Sequence, residues 1–291
     1  MIDLHTHSTA SDGTYSPREL VQLAYKKGIS VLALTDHDTT DGLIEAQNEC
    51  KEAGIIFVPG IEISIEWATG EFHLLGLGLT HKNEELCRII DFLKNERINR
   101  NKKMVEKLRE QKIDITYEEL CEKFHTKNIG RPHFAQVLQE KGIVKNRQQA
   151  FDRFFANGRP CFVDRTGADL KEAVVAIKKS GGLPVQAHPL SMYVSWGKMA
   201  DTISGIKEAG VVGLEAWHPG ARVSEAERLE ELAHSLGMIA TGGSDFHGEK
   251  VRADRKLGFA SGKRKIRDKH WSEELLPALQ KIQGEKLIPF E

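Results

Sequence analysis

The feature that most narrows the fold of this chain is an alternation. Short apolar, β-branched runs take turns with segments whose apolar residues recur at helical spacing. A strand at Met1 to Leu4 is followed by a helix from Pro17 to Lys27, with Ser16 as N-cap and Gly28 as C-cap. Further strands are predicted at Val31 to Thr35, Ile55 to Ile65, Glu71 to Leu79, Leu183 to Ala187, Val211 to Ala216 and Met238 to Thr241. Further helices are predicted at Leu43 to Ala53, Leu170 to Lys179, Met199 to Ala209 and Ser224 to Ser235. Strand then helix, repeated with about seven strands, is the pattern of an α/β protein of the β/α barrel kind.

The alternation stops between about Asn83 and Arg165, where charged, helix-period sequence runs on and no convincing strand returns until Cys161-Phe162-Val163. This predicts a helical insertion, residues 83–165, in a discontinuous barrel of residues 1–82 and 166–291. The charge follows the same division. The whole chain has a formal charge of -1, yet residues 91–165 carry a net +6 and the remainder a net -7. An acidic barrel with a basic cap suggests metal ions held by the first and an anionic substrate by the second, although solvated helix faces produce such imbalances too.

Other classes are excluded by composition. With 40% hydrophobic and 29% charged residues the chain is neither disordered nor fibrous. The near-zero net charge gives no global field to hold long duplex nucleic acid or an anionic membrane. Cys50, Cys87, Cys121 and Cys161 stand far apart without a CxxC pair, which argues against a thiolate metal cage and a disulfide framework and for a reducing cytoplasm. The N-terminus has no signal-peptide pattern, and no apolar run approaches a membrane span, so neither export nor embedding is expected.

The chemistry lies at the strand ends. His5-Thr6-His7 continues the first strand, and because alternate side chains share a face, both imidazoles point one way and Thr6 the other. Asp12 follows in Ser11-Asp12-Gly13, His37 ends the second strand, and Glu62 stands in Gly60-Ile61-Glu62-Ile63 on the third. His73 lies beyond Ala68-Thr69-Gly70, which reads as a hairpin turn and would set His73 on a strand running back from the rim. His188 ends Pro184-Val185-Gln186-Ala187, and Asp245-Phe246-His247 repeats the i, i+2 arrangement. A single histidine after a strand is more often polar surface than a ligand. Six of the chain's twelve histidines together with three carboxylates at the rim is a different matter. Nine nitrogen and oxygen donors without thiolates exceed one tetrahedral zinc and suit two or three ions such as manganese, iron or zinc.

Five ordered segments, Leu4-His5-Thr6-His7-Ser8, Thr35-Asp36-His37, Gly60-Ile61-Glu62, Ala187-His188-Pro189 and Gly243-Ser244-Asp245-Phe246-His247, resemble the motifs of the PHP family, named for polymerase and histidinol phosphatase domains. The resemblance spans about residues 1 to 250. It implies a distorted seven-stranded β/α barrel whose trinuclear metal centre hydrolyses phosphate esters. Carried over residue by residue, it gives His5, His7, Glu62 and Asp245 to one metal, Asp12, His37 and His247 to a second, and Glu62, His73 and His188 to a third, with Glu62 bridging. Manganese is the metal this resemblance favours, and iron or zinc are the alternatives.

In the insertion, Gly130-Arg131-Pro132-His133 and Gly158-Arg159-Pro160 each place an arginine between glycine and proline, where the backbone is restrained. Arg131, His133 and Arg159 are therefore candidates for holding a substrate phosphate, to whose oxygens a guanidinium fork is matched, with surface salt bridges as the alternative. Both segments resemble the cap of PHP enzymes that act on nucleoside 3',5'-bisphosphates and short oligonucleotides. His218 ends another strand and is the candidate general acid. Asp36 and Asp38 flank His37 as acceptors for imidazoles or as helix caps. His81, His125, His234 and His270 match no motif and read as surface. Gly76-Leu77-Gly78 is too short for a phosphate loop, so no dinucleotide cofactor is expected.

The reading that results is a cytoplasmic, metal-dependent phosphoesterase in which a metal-bound hydroxide attacks phosphorus. The leading substrate is a nucleoside 3',5'-bisphosphate losing its 3'-phosphate, and a 5'-3' exonuclease on short 5'-phosphorylated oligonucleotides is the close alternative. Histidinol phosphate gives no use for a second arginine. A non-catalytic nucleotide-binding PHP module would not need all nine ligands. An amidohydrolase would be favoured by a bridging lysine at a mid-barrel strand end, and the sequence shows none there.

Overall fold

The first strand-helix unit forms for local reasons. β1 (Ile2–Asp3) leads to α1 (Pro17–Lys26), whose first turn is closed reciprocally. The Glu19 N–H donates to Ser16 Oγ at 3.2 Å, the Ser16 N–H donates to Glu19 Oε2 at 2.8 Å, and Pro17 stands where a missing N–H removes no bond. The chain leaves this helix through Gly28 at φ 72°, a conformation that costs a glycine little. β2 (Val31–Leu34) and α2 (Leu43–Ala53) repeat the unit, and β3 (Ile56–Ile65) and β4 (Phe72–Leu77) follow. Next come α3 (Glu84–Glu110), α4 (Tyr117–Phe124), α5 (Arg131–Glu140) and α6 (Arg147–Ala150), the last continuing into a π-helical turn at Phe151–Phe155. The alternation then resumes with α7 (Leu170–Lys179), β5 (Leu183–Gln186), α8 (Trp196–Glu208), β6 (Gly213–Trp217), α9 (Val223–Ser235), β7 (Ile239–Gly242) and α10 (Leu276–Gln283).

The computed structural model describes residues 1–291 apart from His125, Lys127, Asn128 and Lys250. The chain divides into two compact units, Met1–Ile90 with Gly167–Glu291, and Asp91–Thr166. In the first, seven strands follow one another in sequence order around a nearly closed barrel. β1, β2 and β3 are parallel, with Ile2 opposite Val31 and Val31 opposite Ile56, and β5, β6 and β7 are parallel as well. β4 is inverted and pairs antiparallel with both neighbours, from Gly60 opposite Leu77 to Ile65 opposite Phe72 on one side and with Leu74 opposite Gln186 on the other. The turn at Ala68-Thr69-Gly70 therefore returns the chain as a hairpin. Beyond the strands proper, the ring is drawn together by the Asp245 N–H donating to the His5 carbonyl at 2.9 Å and the His7 N–H donating to the Phe246 carbonyl at 2.9 Å.

The second unit has an apolar core of its own in which Met104, Leu108, Ile115, Leu120, Phe134, Leu138, Phe154 and Phe155 are buried. The strand expected at Cys161-Phe162-Val163 is a turn and irregular chain instead. Cys161 belongs to this core, and the Phe162 carbonyl accepts from Lys107 Nζ at 2.8 Å, so the apolar run packs against helices rather than pairing in a sheet. Among the described residues, no helix is long and apolar enough to cross a membrane.

Candidate metal centre

The period-2 rule on the first strand puts Asp3, His5 and His7 on one face, and all three are buried. His5 Nε2 and His7 Nε2 are 3.1 Å apart and aim at the same spot. Asp245 Oδ1 is 3.3 Å from His7 Nε2 and 3.7 Å from His5 Nε2. The Asp12 loop is fixed by Asp36, whose carboxylate accepts the Ser8 N–H at 2.8 Å and the hydroxyls of Ser8 at 2.6 Å and Ser11 at 2.5 Å. Asp38 accepts the Ser64 N–H at 2.9 Å. The helix cap of α2 is Gly42, so neither carboxylate caps that helix: Asp36 serves the hydroxyls and backbone of the loop that carries Asp12, and Asp38 holds on to β3.

Glu62 stands at the middle of the cluster, fully buried, and its two oxygens face different histidines. Oε1 lies 2.9 Å from His73 Nδ1 and 3.0 Å from His188 Nε2. Oε2 lies 2.8 Å from His37 Nδ1, 3.3 Å from His7 Nε2 and 3.4 Å from His5 Nε2. The inverted β4 makes the first contact, because with Ser64 opposite His73 the residues Glu62 and His73 become diagonal neighbours on one face. His247 Nε2 approaches Asp12 Oδ1 at 3.2 Å.

Three groups of side chains bring their ligand atoms within 4.8 Å of one another: His5, His7 and Asp245; His7, Asp12, His37 and His247; and His37, Glu62 and His73. These groups contain eight of the nine expected ligand residues, with His7 and His37 shared between groups, and His188 lies outside them against Glu62 Oε1, its side chain 11% exposed. Backbone strain gathers here too: His188 at φ 28°, Asp38 at φ 53° and Asp245 at φ 52° hold left-handed conformations at strand ends. Gly243 is required by close approach, since a Cβ there would lie 2.2 Å from the His5 Cβ and 2.6 Å from Glu215 Oε1.

Burial would raise the carboxyl groups of Glu62, Asp12 and Asp245, but the surrounding histidines overrule it and hold all three well below the usual range. Burial also disfavours charge on His247, yet Asp12 and Asp245 push that ring up to about 9. His7 goes the other way, down to about 3, through burial and its neighbours His247 and His37. Glu62 Oε2 and Asp12 Oδ1 are buried and make no hydrogen bond among the described residues. Buried carboxylate oxygens without donors, ringed by imidazole nitrogens at 2.8 to 3.4 Å, fit divalent cations of the nitrogen and oxygen kind.

Sequence reasoning missed two residues at this site. Glu215 Oε1 accepts from His5 Nδ1 at 2.9 Å and its Oε2 accepts the His188 N–H at 2.8 Å, so one carboxylate orients two ligand positions. The signal was available as an acid at an inward position of β6, between Gly213 and Trp217 in the period-2 pattern. The second is Arg255, whose Nη2 lies 3.8 Å from Asp245 Oδ2. His218 is in place, with Nε2 3.3 Å from Asp245 Oδ2, and its Nδ1 accepts the Gly220 N–H at 3.1 Å. The remaining proton is therefore on Nε2, facing Asp245. Burial pushes this ring down to about 4, and cations nearby would lower it further, so it is neutral at neutral pH.

The insertion residues differ in burial. Arg131 begins α5, half-buried, while Arg159 is exposed in a turn. His133 is buried, its Nδ1 accepting the Gly130 N–H at 2.8 Å and its ring 4.5 Å from that of Phe124, which closes the helix start. Of the histidines read as surface, His81 and His234 are exposed, and His125 lies outside the described residues. His270 is a correction: it is 1% exposed, and its Nδ1 donates to the Ala240 carbonyl of β7 at 3.0 Å. Its partner is a strand carbonyl distant in sequence, which no local pattern announces.

A model of the PHP domain matches residues 3–155. A Haemophilus influenzae protein named 5'-3' exoribonuclease is 35% identical over 84% of this chain and 89% of its own length. A Chromobacterium violaceum protein named 3',5'-nucleoside bisphosphate phosphatase is 32% identical over 84% of this chain and 87% of its own. Among solved structures, a Bifidobacterium adolescentis protein named as a candidate metal-dependent phosphoesterase superposes with a TM-score of 0.82 at 31% identity, covering 94% of both chains.

Proposed function

The chain belongs to the PHP domain family and is a metal-dependent phosphoesterase; from that premise we propose that it removes the 3'-phosphate of nucleoside 3',5'-bisphosphates. The observation that carries the substrate is the segregation of charge, a net +6 in residues 91–165 against a net -7 elsewhere, in a chain 32% identical to a relative named for that activity. A substrate with two phosphates needs one held for reaction and another held for recognition. We assign the second to Arg131 and Arg159 of the insertion, with His133 fixing the helix start that presents Arg131.

In this reading His5, His7, Glu62 and Asp245 hold one ion, Asp12, His37 and His247 a second, and Glu62, His73 and His188 a third, with manganese as the metal. Such ions, when bound, supply charge against phosphate oxygens and a water acidic enough to act as nucleophile at neutral pH. The side chains do the rest. Glu62 offers one oxygen to each of two sets of imidazoles, Glu215 fixes His5, and Asp36 fixes the loop of Asp12. His218, expected as the general acid, is neutral with its proton facing Asp245, and the role we give it is to orient that carboxylate. The four cysteines are free, which suits a cytoplasmic setting.

The 35% identity to a relative named 5'-3' exoribonuclease favours a second reading, stepwise release of 5'-mononucleotides from short oligonucleotides. The two differ in one assay. Manganese-loaded protein is given a 3',5'-bisphosphate and a 5'-phosphorylated trinucleotide at equal concentration. Faster turnover of the bisphosphate is expected, and equal or faster release from the trinucleotide transfers the assignment to the exonuclease.

A further inference from the structure

Ten residues beyond Asp245, in the loop after β7, the first unit buries a guanidinium. Arg255 is 7% exposed, although arginine is seldom buried unless it is paired. Its Nε and Nη1 are buried and make no hydrogen bond among the described residues. Its Nη2 is 3.8 Å from Asp245 Oδ2, beyond hydrogen-bond reach. Asp254 is 3.4 Å from the Arg255 Nε, but that carboxylate is 64% exposed and is gripped by Arg252 through two bonds of 3.1 and 3.0 Å.

The placement is imposed by the fold. The Arg255 N–H donates to the Arg252 carbonyl at 3.0 Å, Leu257 is fully buried, and the Gly258 N–H donates to Asp3 Oδ2 at 2.7 Å, which ties the loop to β1. Around Asp245 the two carboxylate oxygens divide the surroundings. Oδ1 faces His5, His7 and His247, and Oδ2 faces His218 and Arg255. Gly220 borders the same spot, since a Cβ there would lie 2.9 Å from His218 Nδ1 and 3.8 Å from Arg255 Nη2.

A counter-ion that only neutralised the acidic cluster would close on a carboxylate oxygen, because a desolvated charge gains most from direct hydrogen bonds. Arg255 stops short of that, and its Nε and Nη1 make no hydrogen bond among the described residues beside the cluster of histidines and carboxylates. We propose that Arg255 is a phosphate-binding residue that grips non-bridging oxygens of the reacting phosphate through its planar fork. A phosphate dianion supplies the acceptors and the charge that this guanidinium lacks. The assignment rests on phosphoester hydrolysis and is independent of which nucleotide is taken.

The test is the binding of inorganic phosphate to manganese-loaded protein, measured by calorimetry, alongside metal content and hydrolysis of a simple aryl phosphate. Arg255→Gln is expected to weaken phosphate roughly 10- to 100-fold and to lower kcat/KM for aryl phosphate and nucleotide alike, with metal content unchanged. Arg255→Lys, which keeps charge but loses the fork, should fall between the two and remains informative if the glutamine variant folds poorly. Phosphate affinity equal to the wild type in a fully loaded variant would overturn the proposal and leave Arg255 as a structural cation. Normal phosphate dependence on Arg255 in a protein that takes neither bisphosphate nor oligonucleotide supports the assignment and overturns only the substrate.

Discussion

Both units have apolar cores, and they differ in what else they bury. Within the barrel unit, Asp3, His5, His7, Asp12, Glu62, Glu215, Asp245 and Arg255 are all withdrawn from water, and several of their polar atoms make no hydrogen bond among the described residues. The insertion unit has a core of phenylalanines and aliphatic side chains, where Asn101 and His133 serve backbone through the Ile129 carbonyl at 2.7 Å and the Gly130 N–H at 2.8 Å, and its buried charges, Arg97 and Arg100, are cations without a buried carboxylate cluster around them among the described residues. A core of the second kind is stabilised by its own packing. One of the first kind is costly until cations arrive, because buried carboxylates and imidazoles are crowded together and several of their polar atoms find no hydrogen bond among the described residues. Damage to the first should therefore register in metal content, and damage to the second in folding or substrate affinity.

The sharpest way to break this contrast is Phe155→Ala. Phe155 is fully buried, its ring 5.9 Å from that of Phe134, and truncation should cost about 3 to 5 kcal/mol. Hydrogen exchange should show loss of protection confined to Asp91–Thr166, with the metal content of the barrel intact. Simultaneous loss of metal would mean that the units do not separate in this way.

Next in size is Arg131→Ala. It should raise KM for a 3',5'-bisphosphate by about 1.5 to 3 kcal/mol while leaving an aryl phosphate and metal content unaffected. Arg159→Ala, at an exposed position, should do the same more weakly. Equal losses on both substrates would give these arginines a structural role instead.

Glu215→Gln sharpens the barrel side. The amide keeps the shape but can accept with one oxygen only, so either His5 or the His188 backbone loses its partner. Metal affinity should fall about 10- to 100-fold by titration against a chelator, with the fold retained. Affinity equal to the wild type would remove Glu215 from the site.

The strand and helix order of the barrel was legible because each element carries its own periodicity, and Leu43–Ala53 and Leu170–Lys179 lie where that periodicity puts them. The gathering of the histidines and carboxylates expected as ligands was legible for the same reason, since strand ends of a barrel share one rim. Residues that act through distant partners were not. Glu215 reads as one acid in a strand until β6 is set beside β1, and Arg255 lies in a loop whose course depends on Gly258 reaching Asp3. His270 was misread because its environment is made by β7 and not by its neighbours in sequence. α8 begins three residues before the expected Met199 because Trp196-Gly197-Lys198 adds a turn without adding to the apolar stripe.

His270 also gives the smallest expected effect. Burial pushes its ring below the ordinary value, so the folded protein resists a proton that the unfolded chain accepts at about 6.5. Its contribution is present above that pH and is lost as pH falls below it. His270→Phe, which lacks the bond to Ala240, should be less stable by about 1 kcal/mol at pH 7, and the gap to wild type in thermal midpoint should narrow toward pH 5. A gap that widens on acidification would contradict the sign.

Glu62 joins the two sides of the site, its Oε1 facing His73 and His188 while its Oε2 faces His5, His7 and His37. Elemental analysis of Glu62→Gln beside the wild type is the direct measurement, with His234→Ala, exposed and outside the site, as the control. An amide cannot serve two cations as a carboxylate does, so Glu62→Gln should retain less metal per chain than the wild type and lose phosphoesterase activity with it, while His234→Ala keeps both. Full metal occupancy in Glu62→Gln would contradict a shared carboxylate at the centre of the site.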